Sequence, residues 1–338
     1  MKQIVITRQG SPKKMEIEQR PDPTPAAGEV LVRVRASGVN FADLLTRQGI
    51  YPDAPKLPCV VGYEVAGIVE ALGNGTSGHK IGDPVFALTR FGGYSDVVSV
   101  PATQVFPKPD SISFEQAAAI PVIYLTAYAL LIVMGGLKPG ESILIHNAGG
   151  GVGLAALDIA KHVGAATYGT SSPSKHAFLR DRGLDHPIDY RNADWLPVLL
   201  DLTEGKGVEL VIDPLGGESW KKSYKALRPT GRLGVFGFSA AAGVGIKAKL
   251  GLVRAALQIP RFNPLAMMGV NKGVFGLNLG HLWQEREKLQ QWMSEILDGV
   301  DQGWVRPYVS KAFPFEEAAA AHEFLESRRN IGKVMLVP

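Results

Sequence analysis

Nine residues constrain this chain more than any others: Ile145-His146-Asn147-Ala148-Gly149-Gly150-Gly151-Val152-Gly153. A short apolar run, Ser142-Ile143-Leu144-Ile145, leads into them. Helical spacing follows, with Ala155, Ala156, Ile159, Ala160 and Val163 on one side and Gly164 where a left-handed closing residue belongs. Read as G-x-G-x-x-G with alanine in first place, the key positions are Ala148, Gly150 and Gly153. Each has a physical reason. The tight turn needs a tiny residue, close approach of the backbone to a diphosphate forbids a Cβ, and helix-on-strand packing needs a third small residue. The free N–H groups of the helix start, at Gly151 and Val152, then face the anion. Strand, loop and helix together predict a dinucleotide site in the first βαβ unit of an α/β domain, a doubly wound Rossmann sheet. A glycine-rich turn without a ligand is the plainer alternative.

The end of the next strand, residues 166–170, selects the dinucleotide. NAD sites place an Asp or Glu there for the ribose 2′-hydroxyl. Here the run is Tyr168-Gly169-Thr170-Ser171-Ser172-Pro173-Ser174-Lys175, with hydroxyls, one lysine and no acid. A 2′-phosphate would be repelled by a carboxylate and attracted by Thr170, Ser171 and Lys175. The composition therefore favours NADPH over NADH. Ser172-Pro173 also reads as an N-cap followed by proline in the first helical turn.

The remainder of the chain sets the context. Length of 338 residues, 46% hydrophobic and 20% charged, is globular composition with room for two domains. The one cysteine, Cys59, cannot close an internal disulfide and excludes any site built from several thiolates. With no apolar leader in MKQIVITRQG, it points to a reducing, cytoplasmic setting. Residues 116–137 carry no charge, but Pro121 and Thr126 interrupt them and no basic cluster flanks them, so a buried helix is expected over a membrane span. Alternation and punctuation predict short strands at 4–7, 29–36, 60–70, 84–88 and 94–100, an all-β region of barrel or sandwich type. Beyond residue 121 strands and helices alternate, with further strands at 208–212 and 232–236. The last part predicts a helix over 282–298, a strand over 304–311, a helix over 315–327 and a strand over 333–337.

Formal charge is +4, unevenly spread: residues 219–284 hold ten Lys and Arg and no acid. Such a block suits an anionic partner, or is a solvated basic face. Inside it Ile246, Leu250, Val253 and Leu257 share a helical face beside Lys247 and Arg254. That face fits a lid or a dimer contact, ranked above a cationic helix on a membrane.

Ala36-Ser37-Gly38-Val39-Asn40, Gly62-Tyr63-Glu64-Val65-Ala66-Gly67, Gly82-Asp83-Pro84-Val85 and the glycine loop carry a resemblance along the whole chain. It resembles the medium-chain dehydrogenase/reductase superfamily. The resemblance implies a GroES-like β-barrel domain, residues 1–121 completed by 281–338, and a Rossmann domain over 122–280. In the zinc alcohol dehydrogenases of that superfamily a cysteine stands at the place of Asn40 and a histidine at that of Tyr63. Asn and Tyr offer neither thiolate nor imidazole, and one cysteine excludes the four-cysteine structural lobe, so no metal is expected. Val39-Asn40-Phe41-Ala42-Asp43, Gly49-Ile50-Tyr51-Pro52, Leu125-Thr126-Ala127-Tyr128 and Asp189-Tyr190-Arg191 are similar to the zinc-free, zeta-crystallin-like NADPH:quinone oxidoreductases. Asn271-Lys272-Gly273-Val274-Phe275-Gly276 and Arg329-Asn330-Ile331-Gly332-Lys333-Val334 are similar to homologues of the synaptic-vesicle amine-transport protein.

The resemblance implies a homodimer and a set of site residues. Lys175 and Tyr190 reach the 2′-phosphate, Thr126 touches the nicotinamide carboxamide or ribose, and Phe236, Phe238, Ser239, Phe275, Leu277 and Asn330 line the cofactor. Tyr51, Tyr63, Phe275 and Asn278 line the substrate pocket, where Leu45 replaces a family tyrosine. Without a Lewis acid, a plain ketone lacks its main electrostatic help, whereas a quinone or α,β-unsaturated carbonyl spreads the incoming charge. Hydride transfer to such an acceptor is the expected reaction, with Asn40, Tyr51 and Thr126 as the catalytic donors; Asn40 either presents its amide N–H to the developing oxyanion or binds the cofactor by fixing the nicotinamide. Tyr51 either gives a proton, as in enoyl-thioester reductases with the matching Gln48-Gly49-Ile50-Tyr51 context, or packs beside Pro52. Asp43 reads as a local acceptor and His146 as packing. An enoyl-thioester reductase and an NADPH-binding adaptor at membranes or RNA remain the alternatives.

Overall fold

The computed structural model describes residues 1–239 and 257–338. The face drawn through Ile246, Lys247, Leu250, Val253 and Arg254 lies outside the described residues. The chain divides into two compact units: Met1–Leu125 with Gly280–Gly303 and Pro307–Pro338, and Thr126–Leu279 with Trp304–Arg306.

The first unit opens with β1 (Lys2–Ile6) and β2 (Met15–Gln19), paired antiparallel. A larger sheet begins with β3 (Glu29–Val39), β4 (Glu64–Leu72), β5 (Pro84–Leu88), β6 (Val97–Pro101) and β7 (Val105–Pro107), joined antiparallel. Its inward valines, among them Val30, Val32, Val34, Val65, Val69, Val85, Val98 and Val100, form one buried cluster. Outward, Arg33 pairs with Glu70, so the alternation written in β3 separates core from solvent. Helix α1 (Phe41–Gln48) follows β3 and ends at Gly49, whose φ of 75° suits a residue without Cβ.

The uncharged stretch folds as α2 (Phe114–Ala118), α3 (Pro121–Tyr128) and a wide π-type turn, Ala129–Val133. Pro121 opens α3, where its missing N–H costs nothing. Among the described residues no helix is long and apolar enough to cross a membrane.

The second unit is a six-stranded sheet, parallel throughout: β8 (Ser142–Ile145), β9 (Ala166–Ser171), β10 (His186–Asp189), β11 (Val208–Asp213), β12 (Leu227–Phe236) and β13 (Gly273–Leu277). Their spatial order, β10-β9-β8-β11-β12-β13, is the Rossmann order, which reverses direction at β8. The glycine loop leaves β8 at that reversal and enters α4 (Gly151–Val163), closed by Gly164 at φ 83°. The basic block is partly neutralised here: Lys222 pairs with Asp194, Arg228 with Glu209 and Arg232 with Glu141. Acids absent from that stretch of sequence reach it from elsewhere in the fold.

The chain then returns to the first unit through a helix, Arg286–Asp301, which starts and ends later than the 282–298 its pattern placed. The strand expected over 304–311 is β14 (Val309–Pro314) instead. Trp304 stacks on His162 at 4.4 Å and Arg306 pairs with Asp158, which keeps residues 304–306 with the second unit. After a helix, Ala318–Glu326, β15 (Lys333–Val337) inserts between β14 and β3.

Candidate functional site

In the second unit the loop geometry follows from its small residues. A Cβ on Gly150 would lie 2.6 Å from Asn147 Nδ2, and one on Gly153 would lie 2.7 Å from the Ala148 carbonyl oxygen. Asn147 itself turns the chain with φ 54°, a conformation that asparagine tolerates better than most residues. No side chain caps α4 at Gly150, which leaves its first N–H groups, beginning with Gly151 and Val152, as anion donors. Lys175 lies across the loop: a Cβ on Gly149 would meet its Cδ at 2.8 Å and its Nζ at 3.7 Å. Lys175 is only 9% exposed, an unusual degree of burial for a lysine.

Beneath the loop runs a directional hydrogen-bond chain. Ser219 and Ser223 hydroxyls donate to Asp213 Oδ2, both at 2.7 Å. The Ser223 oxygen then accepts from His146 Nε2 at 3.0 Å, so Nδ1 accepts from the Thr170 hydroxyl, also at 3.0 Å. Thr170 Oγ1 in turn takes the Asn147 N–H at 3.3 Å. Burial holds the His146 pKa below the usual imidazole range against the pull of Asp213, which suits this neutral tautomer. Thr170 is thus placed under the loop, with its hydrogen given to His146. Ser171 is buried as well, its hydroxyl turned to the Ser172 carbonyl. Ser172 does precede a short helical turn, but its hydroxyl meets Ser174 at 3.2 Å and caps nothing.

The other expected cofactor residues of this unit end its strands or follow them. Tyr190 stands 40% exposed just past β10. Phe236 closes β12, and Phe275 in β13 packs over Gly234, whose Cβ would lie 2.8 Å from the ring. Phe238 packs near Trp220 at 5.8 Å, and Ser239 N–H donates to the Pro214 carbonyl at 2.9 Å. Leu277 is buried, Asn278 exposed, and Thr126 in α3 is 7% exposed.

In the first unit the residues expected to act on the substrate sit on an ionic network. Asn40, at the end of β3, accepts at Oδ1 from Lys333 Nζ at 2.8 Å and donates from Nδ2 to Glu64 Oε1 at 2.9 Å. Lys333 also donates to Glu64 Oε1 at 2.5 Å and to the Val39 carbonyl at 2.9 Å. The second Glu64 oxygen accepts the Val122 N–H at 2.8 Å, at the start of α3, where a helix end attracts negative charge. The amide of Asn40 is therefore fixed in one orientation. A Cβ on Gly38 would collide with the Glu64 carboxylate, so the glycine in the Ala36–Asn40 motif makes room for it.

Asp43 accepts the Asn40 N–H at 2.7 Å, the Gly62 N–H at 3.0 Å and the Tyr94 hydroxyl at 3.2 Å. Burial pushes its pKa up to about 7, against the pull of these donors and of the Lys333 charge. Tyr94 Oη lies 3.0 Å from His322 Nε2, and Arg47 Nε donates to His322 Nδ1 at 3.2 Å. Arg47 also reaches the Gly10 carbonyl and Glu326. Burial, with the Arg47 charge beside it, drives the His322 pKa down to about 3.

Beside this network Tyr51 and Tyr63 meet edge to face, ring centres 6.4 Å apart at 79°, and Tyr63 tilts against Phe91. Burial raises both phenol pKa values. Asn330 is 6% exposed and donates to the Gly332 carbonyl at 2.8 Å.

The donor set does not fit a catalytic zinc. The Asn40 and Glu64 oxygens that would face a cation already face the Lys333 ammonium, and Tyr63 offers only a phenol held protonated by burial. Among the described residues no group of three or more His, Cys, Asp or Glu is arranged to hold a metal.

Sequence reasoning assigned no role to Asn147, Glu64, Lys333 or Thr46. The signal for Glu64 and Lys333 was available: each is a charge opening an apolar strand that pairs with β3 or one step from it, in Glu64-Val65-Ala66-Gly67-Ile68 and Lys333-Val334-Met335-Leu336.

Residues 26–110 match the alcohol dehydrogenase GroES-like domain and residues 182–336 match a zinc-binding dehydrogenase family. The chain is 39% identical over 338 residues to the rat synaptic vesicle membrane protein VAT-1 homolog, covering 99% of this chain and 83% of that protein. Among solved structures, Escherichia coli quinone oxidoreductase complexed with NADPH matches with a TM-score of 0.88 at 32% identity, covering all of both chains. The CurK enoyl reductase matches with a TM-score of 0.86 at 30% identity, covering 99% of this chain and 98% of that one. With the Rossmann strand order, the GroES-like unit and Asn40 and Glu64 already paired with Lys333, these likenesses give one conclusion: the chain belongs to the medium-chain dehydrogenase/reductase superfamily, in its zinc-free quinone oxidoreductase type.

Proposed function

We propose that this protein is an NADPH-dependent reductase of quinones or α,β-unsaturated carbonyls that works without a catalytic metal. The observation that carries the reading is Lys175 laid across Gly149, beside an uncapped helix start, with no carboxylate at the end of β9. A diphosphate fits the free N–H groups of α4, and a 2′-phosphate fits Lys175 and Tyr190. NADPH supplies a hydride when bound. The chain's own residues bind and orient the reactants and exclude water. Asn40 holds a fixed amide backed by the Lys333 charge, and Tyr51 is the proton donor. Two of the similar proteins named above are called a quinone oxidoreductase and an enoyl reductase, which supports an activated double bond as acceptor. The Gln48-Gly49-Ile50-Tyr51 context keeps an enoyl thioester as a second reading. A homodimer belongs to the proposal, with β13 as the outer strand of its sheet.

The test is NADPH oxidation by purified protein against a panel of quinones, enones and enoyl thioesters. Turnover with at least one class is expected. No turnover with any, in protein that binds NADPH, would overturn the reductase reading.

A further inference from the structure

Two buried hydroxyls of the first unit have no hydrogen-bond partner among the described residues: Thr46 Oγ1 and Tyr63 Oη. Thr46 is 1% exposed and Tyr63 7% exposed. Thr46 lies in α1, where a threonine commonly donates to a carbonyl of the preceding turn; this one does not. An unpaired buried hydroxyl destabilises a fold, so two of them in one unit call for a chemical reason. The neighbouring hydroxyl is that of Tyr51, whose ring meets the Tyr63 ring edge to face. Tyr63 favours ionisation of Tyr51, and Thr46 favours ionisation of Tyr63.

We propose that Thr46, Tyr63 and Tyr51 form a hydroxyl relay in which each hydrogen points to the next oxygen, so that Tyr51 keeps its own hydrogen for the substrate. The inference rests on the reading of Tyr51 as proton donor. After the acceptor has taken hydride from NADPH it carries an extra electron pair on oxygen. The Tyr51 O–H bond breaks, its proton joins that oxygen or the conjugated carbon, and Tyr51 is left as a phenolate. Tyr63 then donates to the phenolate oxygen, Thr46 donates to Tyr63, and solvent water returns the proton to Tyr51. Tyr63 and Thr46 are positioning residues in this scheme. Burial, with the Asp53 and Asp43 charges nearby, disfavours a phenolate at Tyr51, which makes such support necessary.

The experiment compares Tyr51→Phe, Tyr63→Phe, Thr46→Val and Thr46→Ser with the unmodified protein, using NADPH and the best acceptor of the panel. Tyr63→Phe is expected to lower kcat about tenfold, the order of one hydrogen bond to a developing charge. It should also enlarge the solvent deuterium isotope effect on kcat, as proton transfer becomes slower, with KM for NADPH unchanged. Its melting temperature should stay level or rise, because it deletes an unpaired hydroxyl. Thr46→Val should move kcat and the isotope effect the same way but less, and Thr46→Ser should restore both. Tyr51→Phe should lower kcat by roughly a hundredfold. A Tyr63→Phe protein with unchanged kcat and isotope effect, alongside a crippled Tyr51→Phe, would overturn the relay alone. An undiminished Tyr51→Phe would overturn the donor reading and the relay with it.

Discussion

The two units bury polar groups in opposite ways. Under the glycine loop every hydroxyl and imidazole nitrogen of the Asp213–Ser223–His146–Thr170 chain has a partner. In the first unit the charged network is equally complete around Asn40, Glu64, Lys333 and Asp43, but Thr46 and Tyr63 beside it are left unpaired. Completed networks lock a backbone or an amide into one geometry. Unpaired hydroxyls lock nothing; they store donors for a group that arrives later. The difference separates the parts that hold a shape from the parts that wait for a reaction.

The strongest way to break this contrast is Lys333→Met. It leaves Glu64 and Asp43 buried without their cation and should cost about 3–5 kcal/mol, read as a large fall in denaturant midpoint; a small loss would mean the network is not what fixes Asn40. Next comes Lys175→Ala, expected to weaken NADPH by about 1.5–3 kcal/mol while leaving NADH nearly as it was. Equal losses in a titration of both would remove the 2′-phosphate assignment. Ser223→Ala should cost about 1.5 kcal/mol, because it strips partners from His146 and Asp213, and should weaken both dinucleotides alike through the loop. Tyr63→Phe removes a similar buried hydroxyl yet should change stability by no more than about 0.5 kcal/mol. Were these last two to cost the same, the contrast between paired and unpaired hydroxyls would collapse.

A subtler effect concerns pH. Burial raises the Asp43 pKa above its unfolded value, so its contribution to stability falls as pH rises from 3.8 to about 7. His322 is depressed to about 3, so its contribution rises with pH up to 6.5. Between those limits the two slopes oppose. Asp43→Asn should leave stability rising with pH across that window and His322→Gln should leave it falling, measured by urea midpoints at several pH values.

Much of this architecture was legible in the residues. The glycine loop, with its apolar strand before and amphipathic helix after, determines β8 and α4 because the period of the pattern changes at the loop. The residue types at Asn40 and Tyr63 already spoke against a zinc ligand set. Hydroxyl direction was not legible: Thr170 and Ser171 read as phosphate donors, yet the strand turns both inward, one to His146 and one to a carbonyl. Nor did local pattern show that Lys333 reaches Asn40, since only the pairing of β15 with β3 brings them together. The strand misplaced over 304–311 has the same origin: Trp304 and Arg306 follow tertiary partners, His162 and Asp158, instead of local alternation.

The insertion of β15 beside β3 also bears on how the molecule is made. Translation delivers β3 before its neighbour β15, and the cation that neutralises Glu64 comes some 300 residues after it by the numbering of Val39 and Lys333. The parallel sheet has all its strands out of the ribosome well before that. Synthesis order therefore favours the nucleotide-type half as the first to close. The half carrying Tyr51 and Asn40 cannot balance the Glu64 carboxylate with its cation until β15 has emerged.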